Sequence, residues 1–511
     1  MKTTFDRPKP QEASITLRFR LLHIRTVSIV ISALLLSGCY FLRGSGGGGQ
    51  EAGSWQAPRH IDPHDVALVR GYAIEPFAQG LTFPTGITFD DEGRAYVVES
   101  GYSYGEVFET PKLLRVEADG STKTIAEGIS KNGPWTSVNF YRGNFYVAEG
   151  GERDGGKILK ISPQGRITEL VTGLPSMGDH HTNSAVIGPD GYIYFGQGTA
   201  TNSGVVGVDN AKFGWLRRRP GFHDIPCRDI TLNGVNFETE DALASSGSGE
   251  KRTTGAYSAY GTPTQKGQII HGKIPCTGSV MRFPLAGGPL ELVAWGFRNP
   301  FGLAFASDGQ LFVTENAYDD RGSRPIWGAG DVLWKVKKGA WYGWPDYSAG
   351  ESVANSEFAA PGKDEPTALI ASAPDSLPTP VAIFGVHSSS NGFDFSKSDE
   401  FGYRGEAFVA QFGDQAPAVG KVLHPVGFKV VRVNVNTGVI EDFAVNAGSD
   451  NGPASALGSG GLERPVAARF DRKGGALYIV DFGVLLMSKE GASPKQHTGV
   501  VWKITKGGRK E

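Results

Sequence analysis

Several features that would place this chain in a familiar class are scarce or missing. It has 511 residues but only three cysteines, and it contains no Cys-x-x-Cys-His motif of the kind that attaches haem covalently. Its 51 Lys and Arg nearly balance its 53 Asp and Glu, so no excess of positive charge suggests a nucleic-acid partner. The apolar run Val27–Leu36 falls short of the roughly 20 residues that cross a bilayer as a helix.

Glycine and aromatic residues, in contrast, are plentiful. The chain has 72 Gly and 30 Pro, and 11% of its residues are Phe, Trp or Tyr. This composition is typical of many short strands joined by tight turns, and it does not fit a bundle of helices. We therefore expect an all-β protein.

The first residues have the pattern of an export signal. Arg18, Arg20 and Arg25 shortly precede the run Val27–Leu36, and the run leads into Leu-Ser-Gly-Cys39, which resembles the bacterial lipoprotein box. An ordinary signal peptide followed by a chance cysteine is the alternative. We predict a signal peptide over 1–38 and a Gly/Ser-rich tether over 39–60 that begins with a lipidated Cys39. The protein would then be an exported, membrane-anchored lipoprotein that faces the periplasm or the cell exterior.

The two other cysteines, Cys227 and Cys276, both follow Ile-Pro. Two cysteines in an exported domain are more often bridged than free, so we predict a disulfide between them. A pair of buried free thiols is the alternative.

One unit recurs six times along the chain. It consists of an apolar strand, a turn centred on Asp or Gly, and a second apolar strand rich in aromatic residues, and a third strand follows each copy. The copies begin at Gly86, Ser137, Ser184, Gly302, Gly392 and Ala467. Repeated units of short antiparallel strands predict a six-bladed β-propeller, which we place at 61–508. Two β-sandwiches, the alternative, would not produce one unit with a fixed internal order.

The spacing of the copies locates the insertions. The third and fourth copies begin 118 residues apart (302 − 184), whereas the first two begin 51 apart (137 − 86). The sequence therefore predicts an insertion at about 199–278 in blade three, and blade four has a long exit at 346–380. Long loops project from the faces of a propeller, so we expect them to form a lid or wall over the channel mouth.

Polar residues stand just before several inner strands. Because these strands converge on the propeller axis, the polar residues should gather around one channel although they are distant in sequence. A ring of Arg, Asn, Asp and His suits an anionic ligand and proton transfer. The segments concerned are Asp179-His180-His181, Arg298-Asn299, His387–Asn391 and Arg464-Pro465.

Three motifs in this order resemble the glucose/sorbosone dehydrogenases, and the sorbosone-type branch in particular. They are "GDHHTNSAVIGPDG", "GFRNPFGLAFASDG" and "GAWYGWPDYSAG", and the resemblance spans most of 75–506. Members of that family are six-bladed propellers that use pyrroloquinoline quinone (PQQ) and Ca²⁺. The resemblance implies a quinoprotein sugar or aldose dehydrogenase, which oxidises an alcohol or hemiacetal carbon by hydride transfer to PQQ.

The resemblance also implies roles for individual residues. His180, preceded by Asp179, matches the general base, for which an imidazole has a suitable pKa. Arg298 and Asn299 match the quinone contacts, and Arg464, at the equivalent point of blade six, would bind a cofactor carboxylate. The alternatives are a structural loop histidine for His180 and an arginine bonded to channel carbonyls for Arg298.

The Ca²⁺ of the family is bound by backbone carbonyls after the blade-four strand, which here belong to Asn316 and Ala317. A solvated acidic loop at 315–331 is the alternative. The chain departs from the family at two points. Thr199 stands where glucose-oxidising members have a carboxylate that orients the histidine, and only Lys421 offers a counterpart to the cofactor lysine of blade five.

The expected partners are a sugar substrate, a respiratory-chain or soluble electron acceptor, and the membrane through the lipid anchor. Two other functions remain open on the sequence alone. Calcium-dependent lactonases also use six-bladed propellers, with acidic and Asn ligands in the channel. A non-catalytic propeller that binds glycans or proteins through its long loops is the other alternative.

Overall fold

We describe the fold from a computed structural model. It describes residues 55–103, 107–151, 153–245, 248–374, 376–420, 422–488 and 491–507. The signal peptide, Cys39 and most of the tether lie outside the described residues, as does Lys421, so these assignments stay predictions. In the described part of the chain, no helix is both long enough and apolar enough to cross a membrane.

Six antiparallel sheets form the blades, which confirms the six-bladed β-propeller. From the inner strand outward, blade one contains Pro84–Phe89, Ala95–Glu99, Lys112–Val116 and Thr122–Glu127. Blade two contains Trp135–Tyr141, Asn144–Glu149, Gly156–Ile161 and Ile167–Leu174. Blade three contains Thr182–Ile187, Tyr192–Gln197, Ser279–Pro284 and Glu291–Trp295. Blade four contains Asn299–Phe305, Leu311–Asn316, Gly330–Lys335 and Ala382–Val386. Blade five contains Ser390–Phe395, Ala407–Gln411, Lys429–Val433, Ile440–Asn446 and the edge strand Val66–Leu68. Blade six contains Pro465–Phe470, Ala476–Asp481, Gly499–Lys506 and Tyr72–Leu81.

The ring closes through the amino-terminal part of the domain. The outer strand of blade six, Tyr72–Leu81, pairs antiparallel with Gly499–Lys506 from the end of the chain. Just before it, Arg59 reaches into blade six, where its guanidinium forms a buried ion pair with Asp481 at 2.6 Å and donates to the Thr498 carbonyl at 2.7 Å. Blade six is thus assembled from both ends of the domain, which removes an open sheet edge.

Hydrophobic clusters fill the spaces between neighbouring blades. Blades four and five, for example, share a cluster that includes Phe312, Leu333, Phe393 and Val409. Because each sheet packs on both of its faces, the second strands are apolar along most of their length, as in "AYVVE" and "LFVTEN". Burial of this surface is the main driving force that holds the blades together.

In every blade, a polar residue at or next to the end of the second strand contacts the start of an inner strand or the segment just before it. Glu315 Oε1 accepts the backbone N–H of Arg298 at 2.6 Å, and Asp481 Oδ1 accepts that of Arg464 at 2.8 Å. Burial raises the pKa of Glu315 to about 7. These contacts hold the entrance segments, and with them the residues that face the axis. The six residues are Glu99, Glu149, Gln197, Glu315, Gln411 and Asp481.

The insertion in blade three is folded, and its two ends are joined to each other by hydrogen bonds to a shared aspartate. It contains the helices Val208–Lys212 and Trp215–Arg218, and the strand pairs Ile230–Thr231 with Ile269–Ile270 and Asn236–Glu240 with Lys251–Gly255. A disulfide joins Cys227 to Cys276, the pair that the sequence predicts to be bridged. Buried Asp224 accepts hydrogen bonds from the start of the insertion, at Thr201 Oγ1, and from its end, at Thr277 Oγ1.

The remaining elements are short. They are Pro63–Asp65, Tyr102–Ser103, Val107–Phe108, Tyr347–Ser348, Glu351–Ser352, Ser356–Phe358, Ala454–Leu457, Leu485–Met487 and Ala492–Pro494.

Removal of Arg59 should weaken ring closure. Arg59→Ala leaves the fully buried Asp481 carboxylate without its cation, and loss of one partner of a buried ion pair costs about 3 kcal/mol. We expect a lower midpoint of urea unfolding, followed by fluorescence, for Arg59→Ala, and an unchanged midpoint for the control Arg70→Ala, whose residue is exposed. Equal midpoints for the two variants would contradict this view of closure.

Candidate functional site

A cavity lies at the propeller axis, where the entrance segments meet. Six of the candidate catalytic, cofactor and metal residues line it, and its volume is about 200 Å³. The six are Asp179, His180, Arg298, Asn299, Asn316 and Ala317. The structure therefore brings together residues from blades three and four that are up to 138 positions apart (317 − 179).

The imidazole of His180 is held in one tautomer. Its Nδ1 lies 2.9 Å from the Thr199 carbonyl oxygen, which can only accept, so Nδ1 carries the proton. Thr199 Oγ1, 3.1 Å from the same nitrogen, donates its own proton to the Thr201 carbonyl at 2.7 Å and is free to accept as well. In the neutral ring, Nε2 is then the unprotonated nitrogen, as a general base requires.

The surroundings of His180 disfavour its charged form. Burial, together with the positive charges of Arg298 and Arg321, holds the pKa of His180 well below its usual range. Thr199 contributes hydrogen-bond acceptors but no negative charge that would stabilise an imidazolium. His180 is therefore neutral, and ready to accept a proton, at neutral pH.

Asp179 binds the insertion. Its Oδ1 accepts the indole N–H of Trp215 at 2.6 Å and the amide of Asn210 at 2.9 Å, and its Oδ2 forms an ion pair with Arg321 at 2.8 Å. The first two bonds fix the helical part of the insertion beside His180, and the ion pair joins Asp179 to the blade-four loop. A catalytic role for Asp179 stays a prediction, because its observed contacts are structural.

Arg298 is buried, and its guanidinium is only partly used by the protein. Its Nε donates to Asn202, its Nη1 to the Asn316 carbonyl at 3.3 Å, and its Nη2 to Asp319 at 2.5 Å. A guanidinium has five N–H groups, so one hydrogen on each Nη has no partner among the described residues and can serve a ligand. Arg298 thus has a structural role in the wall and also keeps N–H groups that a ligand can use.

Amide side chains connect three blades along one wall of the cavity. Asn183 of blade three donates to Asn299 Oδ1 at 3.0 Å, and Asn299 donates to Asn316 Oδ1 at 2.9 Å. Asn316 in turn donates to the Ser390 carbonyl of blade five at 3.0 Å. This chain of bonds orients Asn299 and fixes the curvature of the wall.

The sequence reasoning missed Arg321, which lies at the centre of the charged network. It forms ion pairs with Asp179 at 2.8 Å, with Asp319 at 3.0 Å, and with Asp209 of the insertion. Burial opposes the charged form of Arg321, but these carboxylates raise its pKa. Burial would likewise raise the pKa of Asp319, but Arg298 and His387 help to lower it. The only sequence signal was the run Asp-Asp-Arg after the blade-four strand.

His387 adds a second imidazole near the charged network, on the cavity lining. Its Nδ1 lies 3.5 Å from Asp319 Oδ1, and its backbone is left-handed, with φ of 61°. Burial alone would lower the pKa of His387, but Asp319, Asp331 and Asp414 raise it above its usual value. His387 lies in the segment that enters blade five, the blade in which the sequence offered no clear cofactor lysine.

The two candidate calcium ligands are placed differently. No hydrogen bond to the Ala317 carbonyl is found among the described residues, and the Ala317 N–H is held by Asp331 Oδ1 at 2.9 Å. The Asn316 carbonyl accepts the long bond from Arg298. Both residues line the cavity. Their role in Ca²⁺ binding stays a prediction.

Arg464 lies away from the cavity lining. It is fully buried, donates to the Asp414 carbonyl at 3.0 Å, and packs over the rings of Phe412 and Phe428. These contacts position the turn of blade five behind the cavity wall. A contact of Arg464 with a cofactor stays a prediction.

The side of the cavity built by blades four to six is largely apolar. A planar conjugated molecule with anionic groups would find apolar faces there and donors on the blade-three and blade-four side. The donor set and the apolar lining therefore fit PQQ. The apolar residues are Phe301, Phe412, Val466, Phe482 and Met487.

A carboxylate at position 199 should make His180 easier to protonate. In Thr199→Asp, a negative charge next to Nδ1 stabilises the imidazolium, so the pKa of His180 moves up from its depressed value. Thr199→Val, the matched control, keeps the backbone carbonyl that fixes the tautomer. NMR titration of the ¹³C-labelled histidines measures both variants, and an unmoved His180 pKa in Thr199→Asp would refute the electrostatic account.

Residues 237–422 match the family model described as Glucose / Sorbosone dehydrogenase. The match includes Arg298, Asn299, Asn316 and Ala317, whereas His180 precedes it. Among curated proteins, none matches the chain. The matched family is one of dehydrogenases, and the interpretation of the chain as an oxidoreductase is confirmed.

Two solved structures share the fold. The holo PQQ domain of a pyranose dehydrogenase from Coprinopsis cinerea has 16% identity, covers 89% of this chain and 99% of its own, and superposes with a TM-score of 0.51. A calcium structure of a Trichoderma reesei carbohydrate-active enzyme has 15% identity, covers 89% and 99%, and gives a TM-score of 0.53. The family match confirms the resemblance to the glucose/sorbosone dehydrogenases that the sequence motifs indicated, and the solved structures share the propeller fold that it implied.

Proposed function

We propose that this chain is a quinoprotein sugar dehydrogenase that oxidises an alcohol or hemiacetal carbon with PQQ as hydride acceptor. The observation that carries the proposal is one cavity with two groups on its lining. One is His180, with an unprotonated Nε2, and the other is Arg298, with two N–H groups left for a ligand. The match to the dehydrogenase family supports the same chemistry.

His180 would act as the base. Its Nδ1–H is fixed by the Thr199 carbonyl, so a substrate hydroxyl that meets Nε2 meets a lone pair. PQQ, when bound, would supply the acceptor for the hydride, which leaves the carbon that bears this hydroxyl. The proton then resides on His180 Nε2, where nearby arginines disfavour it and so promote its release to solvent.

The cofactor would lie between the polar and apolar sides of the cavity. Arg298 offers planar donors to its oxygens, and His387 adds an imidazole from the segment that enters blade five. Phe301 and Phe412 would pack on its faces. Ca²⁺ would be held by the Ala317 carbonyl, and by that of Asn316 if Arg298 turns to the cofactor.

The contacts of the cavity carboxylates favour this proposal over a lactonase. A metal-dependent lactonase needs carboxylates free to bind its ion, but Asp179 and Asp319 are each bonded to arginines. The third carboxylate of the lining, Asp331, accepts hydrogen bonds from the backbone of Ala317 and Ser390 and from the Ser388 hydroxyl. Surface anchoring through a lipidated Cys39, and transfer of the electrons to a respiratory-chain or soluble acceptor, are parts of the same proposal. They would place sugar oxidation outside the cytoplasmic membrane.

Reconstitution tests the function directly. We expect the purified protein, loaded with PQQ and Ca²⁺, to reduce a dye with at least one sugar of a panel of aldoses. His180→Gln should lower kcat by about 100-fold or more, because a positioned base contributes at least that factor. The exposed His424→Gln is the matched control and should keep full activity.

The other outcomes identify the alternatives. Hydrolysis of lactones without PQQ would support a lactonase, and glycan binding with neither activity would support a binding propeller. A His180→Gln variant as active as the wild type would exclude His180 as the base.

Arg298→Lys should weaken PQQ binding more than its retained charge suggests. Lysine keeps a positive charge near Asp319 but lacks the planar guanidinium, whose several N–H groups can bond to Asp319 and to a ligand at the same time. We expect about a tenfold rise in the PQQ dissociation constant, measured by titration calorimetry with Ca²⁺ present. The exposed Arg472→Lys serves as control, and an unchanged affinity in Arg298→Lys would remove Arg298 from the cofactor site.

A further inference from the structure

The blade-three insertion brings two aromatic side chains to the cavity. Between its helices Val208–Lys212 and Trp215–Arg218, the chain turns at Gly214, which has a left-handed backbone with φ of 90°. This turn lets Phe213 and Trp215, on either side of the glycine, both line the cavity. No repeat or family motif pointed to these two residues.

Contacts with two other segments, the entrance to blade three and the blade-four loop, hold this part of the insertion. Trp215 is bonded to Asp179, the neighbour of His180, and Asp209 is paired with Arg321 of the blade-four loop. Ser203, at the start of the insertion, donates to the Arg324 carbonyl at 2.5 Å. A wall fixed in this way loses little entropy when a ligand binds against it.

The chemistry of the two rings differs from that of the rest of the site. The indole N–H of Trp215 is consumed by Asp179, so Trp215 offers the cavity only carbon surface. The ring of Phe213 is half-buried, with the Arg321 guanidinium 4.7 Å from its centroid. An aromatic face carries partial negative charge, which suits the polarised C–H groups on one face of a pyranose ring.

We propose that Phe213, supported by Trp215, is a substrate-binding residue that packs on the C–H face of the pyranose ring. This inference rests on the proposed function and names its substrate class, a pyranose sugar. The bond from Trp215 to Asp179 places the aromatic wall next to His180. A ring that rests on the wall would present its hydroxyl to that base, and the wall would determine which sugars fit.

The test separates binding from chemistry. We expect Phe213→Ala to raise the KM for D-glucose by about three- to tenfold, with kcat changed less than about twofold, as the loss of one aromatic contact predicts. On the cofactor-free protein, saturation-transfer NMR should show the same rise in the dissociation constant of 1,5-anhydro-D-glucitol, a pyranose without the anomeric hydroxyl. Phe213→Tyr, which keeps the ring, should behave as the wild type.

Phe237→Ala is the matched control, because Phe237 is a half-buried phenylalanine of the same insertion that does not line the cavity. Should Phe213→Ala unfold the insertion, Phe213→Leu keeps most of the volume without the aromatic face and should still weaken binding. Unchanged affinity in both Phe213→Ala and Phe213→Leu, or an equal loss of affinity in Phe237→Ala, would overturn the inference even if the wild type oxidises sugars. A wild-type protein that binds the pyranose but oxidises no sugar would overturn the proposed function alone, and one that does neither would overturn both.

Discussion

The site depends on a buried network in which Arg298 and Arg321 alternate with carboxylates. Asp319 bridges the two guanidinium groups, and Asp179 and Asp209 bind the outer side of Arg321. These residues come from blade three, its insertion and blade four. Buried charges are tolerated only when they are paired, and removal of one partner typically costs several kcal/mol. The network therefore fixes the three segments relative to one another and gives the cavity its shape.

The same network determines the proton chemistry. Its arginines, together with burial, depress the pKa of His180, and Thr199 fixes the tautomer without adding charge. A carboxylate at that position would make the histidine a stronger base but would also make it harder to deprotonate afterwards. The chain thus combines a weak base, which is uncharged until it accepts a proton, with a wall of arginine donors that are paired to carboxylates. That combination suits transfer of a proton from a substrate whose hydride goes to an anionic cofactor.

Much of the fold and part of the site could be predicted from sequence, for physical reasons. The six copies revealed the blades because each blade must bury the same apolar pattern, and the polar residues before the inner strands had to converge. Arg321, Phe213 and the hydrogen bonds of Asp179 were not predictable, since they depend on how the insertion folds back, and no repeat constrains it. Arg464 occupies the equivalent position to Arg298, yet it is bonded to carbonyls behind the wall. Equivalent positions in a propeller share backbone geometry, but not the direction in which a long side chain finds its partners.

If the proposed function is correct, one planar redox molecule can touch both His180 and Arg298 from within the axial cavity. A crystal structure of the protein grown with PQQ and Ca²⁺ examines this contact. We expect density for one PQQ per chain, with an oxygen hydrogen-bonded to Arg298 and His180 Nε2 facing the remaining space above the quinone. PQQ bound elsewhere on the propeller, or a cavity that holds only solvent at saturating PQQ, would contradict it.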